Sequence, residues 1–150
     1  MQTFHSLEEI LNFAIEAEKE AYEFYTRLAE NAELEHVKNA LRGFAQEEQQ
    51  HKAQLESMKQ SGNLPEGGTV TDLKLADYLT DVNAGPDISY QDALVIAMKK
   101  EKAAFKLYSD LAENLEDPEF KKAFRALAEQ EARHKLRFET EYDDVILKED

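Results

Sequence analysis

The sequence predicts an all-α fold, a four-helix bundle built from two repeated helical hairpins that a long crossover joins. The 150 residues include only three prolines and five glycines, and they are rich in leucine, alanine and long charged side chains, which is typical of helices. Residues 14–56 align without a gap with residues 97–139, with 18 identities in 43 positions, which indicates a duplication. One hairpin cannot bury its own apolar face, whereas two facing hairpins can, so we expect a single domain over residues 1–150.

The first half of the repeat spans about residues 6–61. Its first helix begins near Ser6, where Glu9 completes a capping box, and it ends near Asn31. A short acidic turn leads to a second helix that ends near Ser61. Because the turn is short, we expect the two helices to be antiparallel neighbours.

The second half of the repeat spans about residues 89–142. Ser89 is the predicted N-cap of the third helix, with Asp92 as its partner. Asp117 precedes a proline at the first position of the fourth helix. We expect that helix to run to about Tyr142 and residues 145–150 to form a loose tail.

A crossover over about residues 62–88 connects the two halves. Residues 63–69 contain a proline and two glycines, which predicts a loop. Thr71 or Asp72 then caps a possible short helix, which the Asn-Ala-Gly-Pro sequence at 83–86 ends. A connection of this length can cross the whole bundle.

Two helices carry a polar pair in the middle of an apolar face. In the second helix the pair is Glu48 and His51, and in the fourth helix it is Glu131 and His134. Burying a lone carboxylate costs several kcal/mol, so such residues lie inside a protein only when they are paired, protonated or bound to a metal.

The other two helices carry a matching interruption. Glu18 and Tyr25 lie on the apolar face of the first helix, and Glu101 and Tyr108 lie 83 positions later on the third. Seven residues make nearly two full turns, so each tyrosine shares a face with its glutamate. If the four faces meet, four carboxylates and two imidazoles converge.

Four buried carboxylates without a counter-charge would repel one another strongly, and two divalent cations would cancel their charge. Oxygen and imidazole donors without sulfur suit iron or manganese, and zinc could also bind. By symmetry we expect Glu18 and Glu101 to be terminal ligands and the glutamates of the two Glu-x-x-His pairs to bridge. Each histidine would bind one metal, and Tyr25 and Tyr108 would hydrogen-bond the ligand carboxylates.

Less specific interpretations compete with a metal site. The six residues could form an ion-paired or protonated core without metal, and the two tyrosines could simply pack in the core. A third Glu-x-x-His, Glu33–His36, lies at a turn and has no histidine in its repeat counterpart, so we expect it to be solvated. We expect the same of His5 and of the acidic residues beside the ligands, Glu20 and Glu47.

The composition excludes several function classes. A net charge of −14 disfavours nucleic acid and anionic membranes as partners. The absence of cysteine excludes disulfides, thiol nucleophiles and cysteine-ligated iron centres. We find no secretory signal and no apolar run long enough to span a membrane, so we expect a cytoplasmic location.

The motif Glu18-x-x-Ala-x-x-x-Tyr25 followed by Glu48-x-x-His51, repeated after a crossover, resembles the rubrerythrin branch of the ferritin-like superfamily. The resemblance covers about residues 6–142. It implies a ferritin-like bundle with a carboxylate-bridged centre of two iron ions that reacts with hydrogen peroxide or dioxygen, often in a homodimer or larger homo-oligomer.

The sequence departs from that family in two ways. Rubrerythrins typically append a rubredoxin iron centre, and without cysteine we expect electrons to come from a separate donor protein. They also carry an extra glutamate one turn before the third-helix ligand, where this sequence has Met98. The resulting site of four glutamates and two histidines resembles that of bacterioferritin, which puts efficient peroxidase cycling in doubt.

Four functions therefore compete. The first is a non-haem di-iron oxidoreductase of the peroxidase or ferroxidase type, which would detoxify peroxide or handle iron. The second is a component of an iron-storage cage, and the third is an oxygenase that acts on an organic substrate. The fourth is a metal sensor or scaffold without redox activity.

Overall fold

The computed structural model describes residues 3–61, 64, 73–80 and 88–149. These residues form four long helices and one short 3₁₀ helix, and the prediction of an all-α four-helix bundle is confirmed. The long helices are α1 (Leu7–Asn31), α2 (Glu35–Gln60), α3 (Tyr90–Asn114) and α4 (Pro118–Glu149). Helix α1 packs mainly on α2, and α3 packs mainly on α4, so each half of the repeat is a hairpin; α1 and α3 also meet.

Three predicted helix starts have the expected caps. The Ser6 hydroxyl accepts a hydrogen bond from the Glu9 amide at 3.1 Å, and the Ser89 hydroxyl accepts one from the Asp92 amide at 3.0 Å. Asp117 Oδ1 accepts hydrogen bonds from the amides of residues 119 and 120. Each cap satisfies amides that have no partner inside the helix, which fixes where that helix begins.

The end of α4 differs from the prediction. Residues 145–149 continue the helix instead of forming a loose tail. Near this end Tyr90 donates a 2.7 Å hydrogen bond to Glu141, and Val145 packs against the core. Contacts with the start of α3 therefore favour continuation of the helix, and they could not be inferred from the local apolar pattern.

The apolar core divides into two clusters along the bundle. The first surrounds Leu11, Leu111 and Phe124, and the second surrounds Leu28 and Phe138. In α1 the residues of the first cluster end at position 14 and those of the second begin at position 21. The polar residue Glu18 lies between them, so an apolar layer covers the polar site on each side.

The described part of the crossover packs on the start of the chain. The predicted short helix is a 3₁₀ helix, Leu75–Tyr78. Just before it, Thr3 and Lys74 form an isolated antiparallel bridge. Tyr78 is buried and donates a 2.7 Å hydrogen bond to Asp110 of α3, which holds this segment on the bundle.

Some predictions for the crossover lie outside the described residues. These are the caps at Thr71 or Asp72, the break at 83–86, and all but residue 64 of the loop at 63–69. Among the described residues, no helix is both long and apolar enough to cross a membrane.

Candidate metal centre

The structure brings the six predicted ligand residues together in the middle of the bundle. Every one of them is at most 3% exposed. Helices α1 and α3 contribute one glutamate each, and α2 and α4 contribute a Glu-x-x-His pair each. The six residues are Glu18, Glu48, His51, Glu101, Glu131 and His134. Burial of this many ionisable groups is stable only if they neutralise one another or a bound cation.

The site has an approximate two-fold symmetry that follows the sequence repeat. The Nδ1 atom of His51 lies 2.9 Å from Glu131 and 3.7 Å from Glu18. The Nδ1 atom of His134 lies 3.0 Å from Glu48 and 3.6 Å from Glu101. Each histidine is therefore nearest to the glutamate of the opposite Glu-x-x-His pair, and the two hairpins interlock at the site.

Two groups of four donor atoms arise from this arrangement. In each group the atoms lie within 4.8 Å of one another, close enough to hold one metal ion. One group combines Glu18 and His51 with two shared glutamates, and the other combines Glu101 and His134 with the same two. The shared residues are Glu48 and Glu131, which belong to both groups.

Several donor atoms of the centre are buried without a hydrogen-bond partner. On all six residues at least one buried nitrogen or oxygen atom is unpaired, including Nδ1 of both histidines and both carboxylate oxygens of Glu101. Unpaired buried polar atoms are rare in folded proteins, and each calls for a partner. Carboxylate oxygens and imidazole nitrogens are the donors that iron and manganese accept. The residues therefore fit a bound metal.

The carboxylates perturb one another in the absence of metal. Burial, followed by the charge of Glu131, raises the pKa of Glu48 well above its usual value. Burial, followed by the charge of Glu101, does the same to the pKa of Glu131. Burial opposes ionisation of Glu18 too, but its neighbours Glu48 and His51 and the hydrogen bond from Tyr108 lower its pKa. The two shared glutamates are thus the ones that hold protons until a cation replaces them.

Both histidines respond to the same surroundings. Burial alone would lower the pKa of His51, but the nearby Glu18 carboxylate, 3.7 Å from Nδ1, and the other negative charge around the ring raise it. The pKa of His134 is raised against burial by Glu101 and Glu47. Without metal, the imidazoles therefore favour the protonated form and balance part of the carboxylate charge.

The two tyrosines lie beside the ligand carboxylates, and both are almost completely buried. Tyr108 donates a 2.5 Å hydrogen bond to Glu18 of the other hairpin. The hydroxyl of Tyr25 has no hydrogen-bond partner among the described residues. Burial and the nearby carboxylates, Glu18 for Tyr108 and Glu101 for Tyr25, raise both phenolic pKa values well above normal, so both hydroxyls keep their protons.

Two residues at the site were missed by the sequence analysis. The Nε2 atom of His134 hydrogen-bonds a carboxylate oxygen of Glu47, and Nε2 of His51 hydrogen-bonds the side-chain oxygen of Gln130. The prediction that Glu47 is merely solvated is therefore wrong, although its side chain is 45% exposed. Residues 47 and 130 are repeat counterparts, and each directly precedes one of the two shared glutamates, which was the available signal.

Other predictions outside the centre can also be placed. His5, Glu33 and His36 are exposed, as predicted, and Glu20 is exposed as well. Met98 is half-buried and packs against the second core cluster. Among the described residues, the groups that could hold a metal contain only the six residues named above.

A narrow cavity of about 50 Å³ connects the centre with the surface between α1 and α3. Its inner wall includes Glu18, Tyr25, Tyr108 and the two shared glutamates, and its outer wall includes Glu20, Lys100 and Thr80. Small alanine side chains from both helices leave this path open: Ala14, Ala17, Ala21, Ala103 and Ala104.

Comparison with known families gives one match that covers most of the chain. The profile of the rubrerythrin family matches residues 9–142. The comparison with curated proteins gives no significant match.

Three solved structures resemble this chain. A hypothetical protein from Pyrococcus furiosus is 32% identical, covers 93% of this chain and 89% of its own, and superposes with a TM-score of 0.73. A ferritin-like diiron-carboxylate protein from Thermotoga maritima is 21% identical, covers 97% and 99%, and has a TM-score of 0.80. An uncharacterised protein from Magnetospirillum magnetotacticum is 24% identical, covers 93% and 95%, and has a TM-score of 0.66. The last two likenesses show the fold alone.

Proposed function

The chain belongs to the rubrerythrin family, and on this premise we propose that it is a di-iron redox protein that oxidises Fe(II) with hydrogen peroxide or dioxygen. One observation carries the proposal. Two groups of four buried donor atoms share Glu48 and Glu131, and each of the six residues has at least one buried donor atom without a hydrogen-bond partner. Such a set suits two adjacent cations bridged by two carboxylates.

The residues divide naturally between two ions. Glu18 and His51 would hold one ion, Glu101 and His134 would hold the other, and the shared glutamates would bridge them. The four carboxylates match the four positive charges of two divalent ions. When bound, two ferrous ions supply the two electrons that reduce hydrogen peroxide to water. Manganese and zinc fit the same donors, so the identity of the metal must be measured.

The protein itself contributes position and protonated groups. The hydrogen bond from Tyr108 holds the carboxylate of Glu18 in place. Both Tyr25 and Tyr108 line the inner end of the cavity, and their raised pKa values keep them protonated. They can therefore offer a hydrogen bond to an oxidant that enters the cavity. The apolar layers above and below keep the rest of the site dry.

The size of the cavity favours a small oxidant. Sites for organic substrates usually measure about 300–1,000 Å³, and this cavity measures about 50 Å³. Hydrogen peroxide or dioxygen would fit, whereas most organic substrates would not. An oxygenase is therefore the weaker hypothesis.

Electrons must return to the site after each oxidation. The 150 residues contain no cysteine that could hold an iron–sulfur donor, so we expect an external electron-donor protein. Met98 in place of a further carboxylate leaves a symmetric set of ligands, which favours dioxygen-dependent Fe(II) oxidation over rapid peroxide turnover.

The test is anaerobic loading with two Fe(II) per chain, followed by stopped-flow mixing with hydrogen peroxide or with dioxygen. We expect iron oxidation with at least one of them. The Glu131→Ala variant should lose this reaction and bind less iron, because a shared ligand is missing. If the variant oxidises iron as fast as the wild type, or if the wild type reacts with neither oxidant, the proposal is wrong. In the second case a sensor or a scaffold remains.

Iron storage is a second candidate because the chain carries a net charge of −14, which attracts Fe(II). Storage requires a closed cage, whereas a homodimer cannot enclose a mineral. Size-exclusion chromatography with light scattering separates these cases, and we expect a homodimer or a larger homo-oligomer. A cage that retains many more than two iron ions per chain would support storage.

A further inference from the structure

The repeat makes the metal centre nearly symmetric, but the symmetry fails at the histidine partners, as it does at the hydrogen bond from Tyr108 to Glu18. His51 and His134 are counterparts, and so are their partners, yet His134 bonds a carboxylate and His51 bonds a neutral amide. The partner residues are Glu47 and Gln130, 83 positions apart. In contrast, the distances from Nδ1 to the carboxylates contributed by the other helices agree within 0.1 Å between the two halves. Nδ1 of His51 also lies 3.7 Å from Glu48 of its own helix.

The contacts fix how each imidazole is used. In both rings Nδ1 faces the carboxylates and has no hydrogen-bond partner, so Nδ1 is the atom available to a metal. A neutral imidazole that binds through Nδ1 carries its proton on Nε2, and Nε2 then donates to Glu47 or to Gln130. These two residues therefore set the ring orientations.

A carboxylate acceptor binds the imidazole N–H more strongly than an amide acceptor does, and it makes the imidazole a stronger metal ligand. Hydrogen bonds to an ionised group are roughly twice as strong as those between neutral groups, and a carboxylate partner raises the basicity of a metal-bound imidazole. The face of His134 also packs against Phe44, with ring centroids 4.4 Å apart, which further restricts that ring. Changes in such outer partners typically alter metal affinity by about 10- to 100-fold.

We propose that Glu47 and Gln130 are positioning residues that make the two metal positions unequal, so that the Glu101/His134 position binds a divalent cation more tightly than the Glu18/His51 position. The expected ratio is about tenfold, the lower end of the range for such partners. The inference rests on the proposed dimetal site. It adds that one metal position fills before the other, which the six ligands alone do not predict. The two residues that cause the difference, Glu47 and Gln130, are not among those ligands.

The test uses Co²⁺, which needs no oxidant, in competition with a fluorescent chelator. The His51→Ala variant keeps the Glu101/His134 position, and His134→Ala keeps the other. We expect His51→Ala to bind its one Co²⁺ about tenfold more tightly than His134→Ala. Adding Glu47→Gln to His51→Ala should remove this advantage, and adding Gln130→Glu to His134→Ala should tighten its binding.

Two further measurements keep the test independent of folding and of activity. Circular dichroism must show equal helix content in all variants, and the exchange Glu47→Gln/Gln130→Glu in the otherwise native chain should move the tight position to His51. Equal affinities in the two single-histidine variants, or no effect of Glu47→Gln, would overturn the inference while leaving the dimetal site intact. Failure of the native chain to bind two Co²⁺ would instead overturn the proposed function.

Discussion

Tyr108 of the second hairpin donates a 2.5 Å hydrogen bond to the Glu18 carboxylate of the first, and the repeat does not reproduce this bond on the other side. The counterpart hydroxyl, that of Tyr25, is equally buried and has no partner among the described residues. The two tyrosines are thus a matched pair in which only one makes the hydrogen bond.

Replacing Tyr108 with phenylalanine should destabilise the metal-free protein by about 1.5–3 kcal/mol, because a hydrogen bond to a charged group is lost. Replacing Tyr25 with phenylalanine removes a hydroxyl without a partner, so stability should be unchanged or slightly higher. Urea unfolding of both variants measures the difference. Equal losses for the two variants would contradict the asymmetry.

Single substitutions of the glutamates should separate terminal from bridging ligands. Glu18→Gln should reduce metal binding from two ions to one, because only one group of donors contains this residue. Glu131→Gln should weaken both ions, because both groups contain it. Titration with Co²⁺ and elemental analysis give the stoichiometry. Glu101→Gln is the matched control and should also retain one ion, because only the other group of donors contains this residue.

The metal-free protein should lose stability as the pH rises. The folded-state pKa values of Glu48 and Glu131 lie above 4.5, so their contribution is complete below pH 4.5 and is lost as the pH rises through the raised values. The raised pKa values of the histidines also lower the stability as the pH rises above 6.5. Glu18 has a lowered pKa, so its contribution to stability rises with pH, but only below pH 4.5. The free energy of unfolding should therefore decrease as the pH rises above 4.5.

Metal should reverse this dependence. Binding displaces protons from the shared glutamates and the histidines, so the affinity for metal rises with pH. Urea unfolding with and without Co²⁺ at several pH values tests both signs. If the metal-free protein is most stable at pH 8, the shared glutamates and the histidines are not protonated when metal is absent, and the prediction is wrong.

Narrowing the cavity should slow the reaction of the iron with the oxidant and leave iron binding unchanged. Ala104→Leu adds bulk to the wall between α1 and α3, so we expect a several-fold slower reaction with peroxide or dioxygen at unchanged iron stoichiometry. Overpacking should cost about 1–3 kcal/mol of stability. Ala126→Leu, at an exposed alanine of α4, is the control and should leave the rate unchanged. An unaffected rate in Ala104→Leu would mean that the oxidant enters elsewhere.

Much of this arrangement could be predicted because it follows from local patterns. The caps at Ser6, Ser89 and Asp117 fix three helix starts, and the repeat pairs Glu18 with Glu101. The convergence of the six residues follows from four helix faces that can be buried only against one another. That these residues bind metal stays a prediction.

The features that were missed depend on contacts between the hairpins. Nothing in its own helix distinguishes Glu47 from a solvated glutamate, and only docking of the second hairpin brings His134 to it. The end of α4 likewise depends on Tyr90 of α3, which hydrogen-bonds Glu141. The cavity could not be predicted either, because alanines on two helices form it only when those helices pack.

The interlocking of the hairpins has a consequence during synthesis. Each group of donors takes residues from both halves of the chain, and neither is complete until Glu131 of the last helix has been added. A ribosome-bound chain that has folded only its first hairpin therefore exposes Glu18, Glu48 and His51 without their partners. Iron held so loosely would be free to exchange, and the centre could become competent for oxidation only when the last helix docks. Because translation supplies the second hairpin last, a complete set of donors, and with it iron oxidation, arises only when most of the chain has been made.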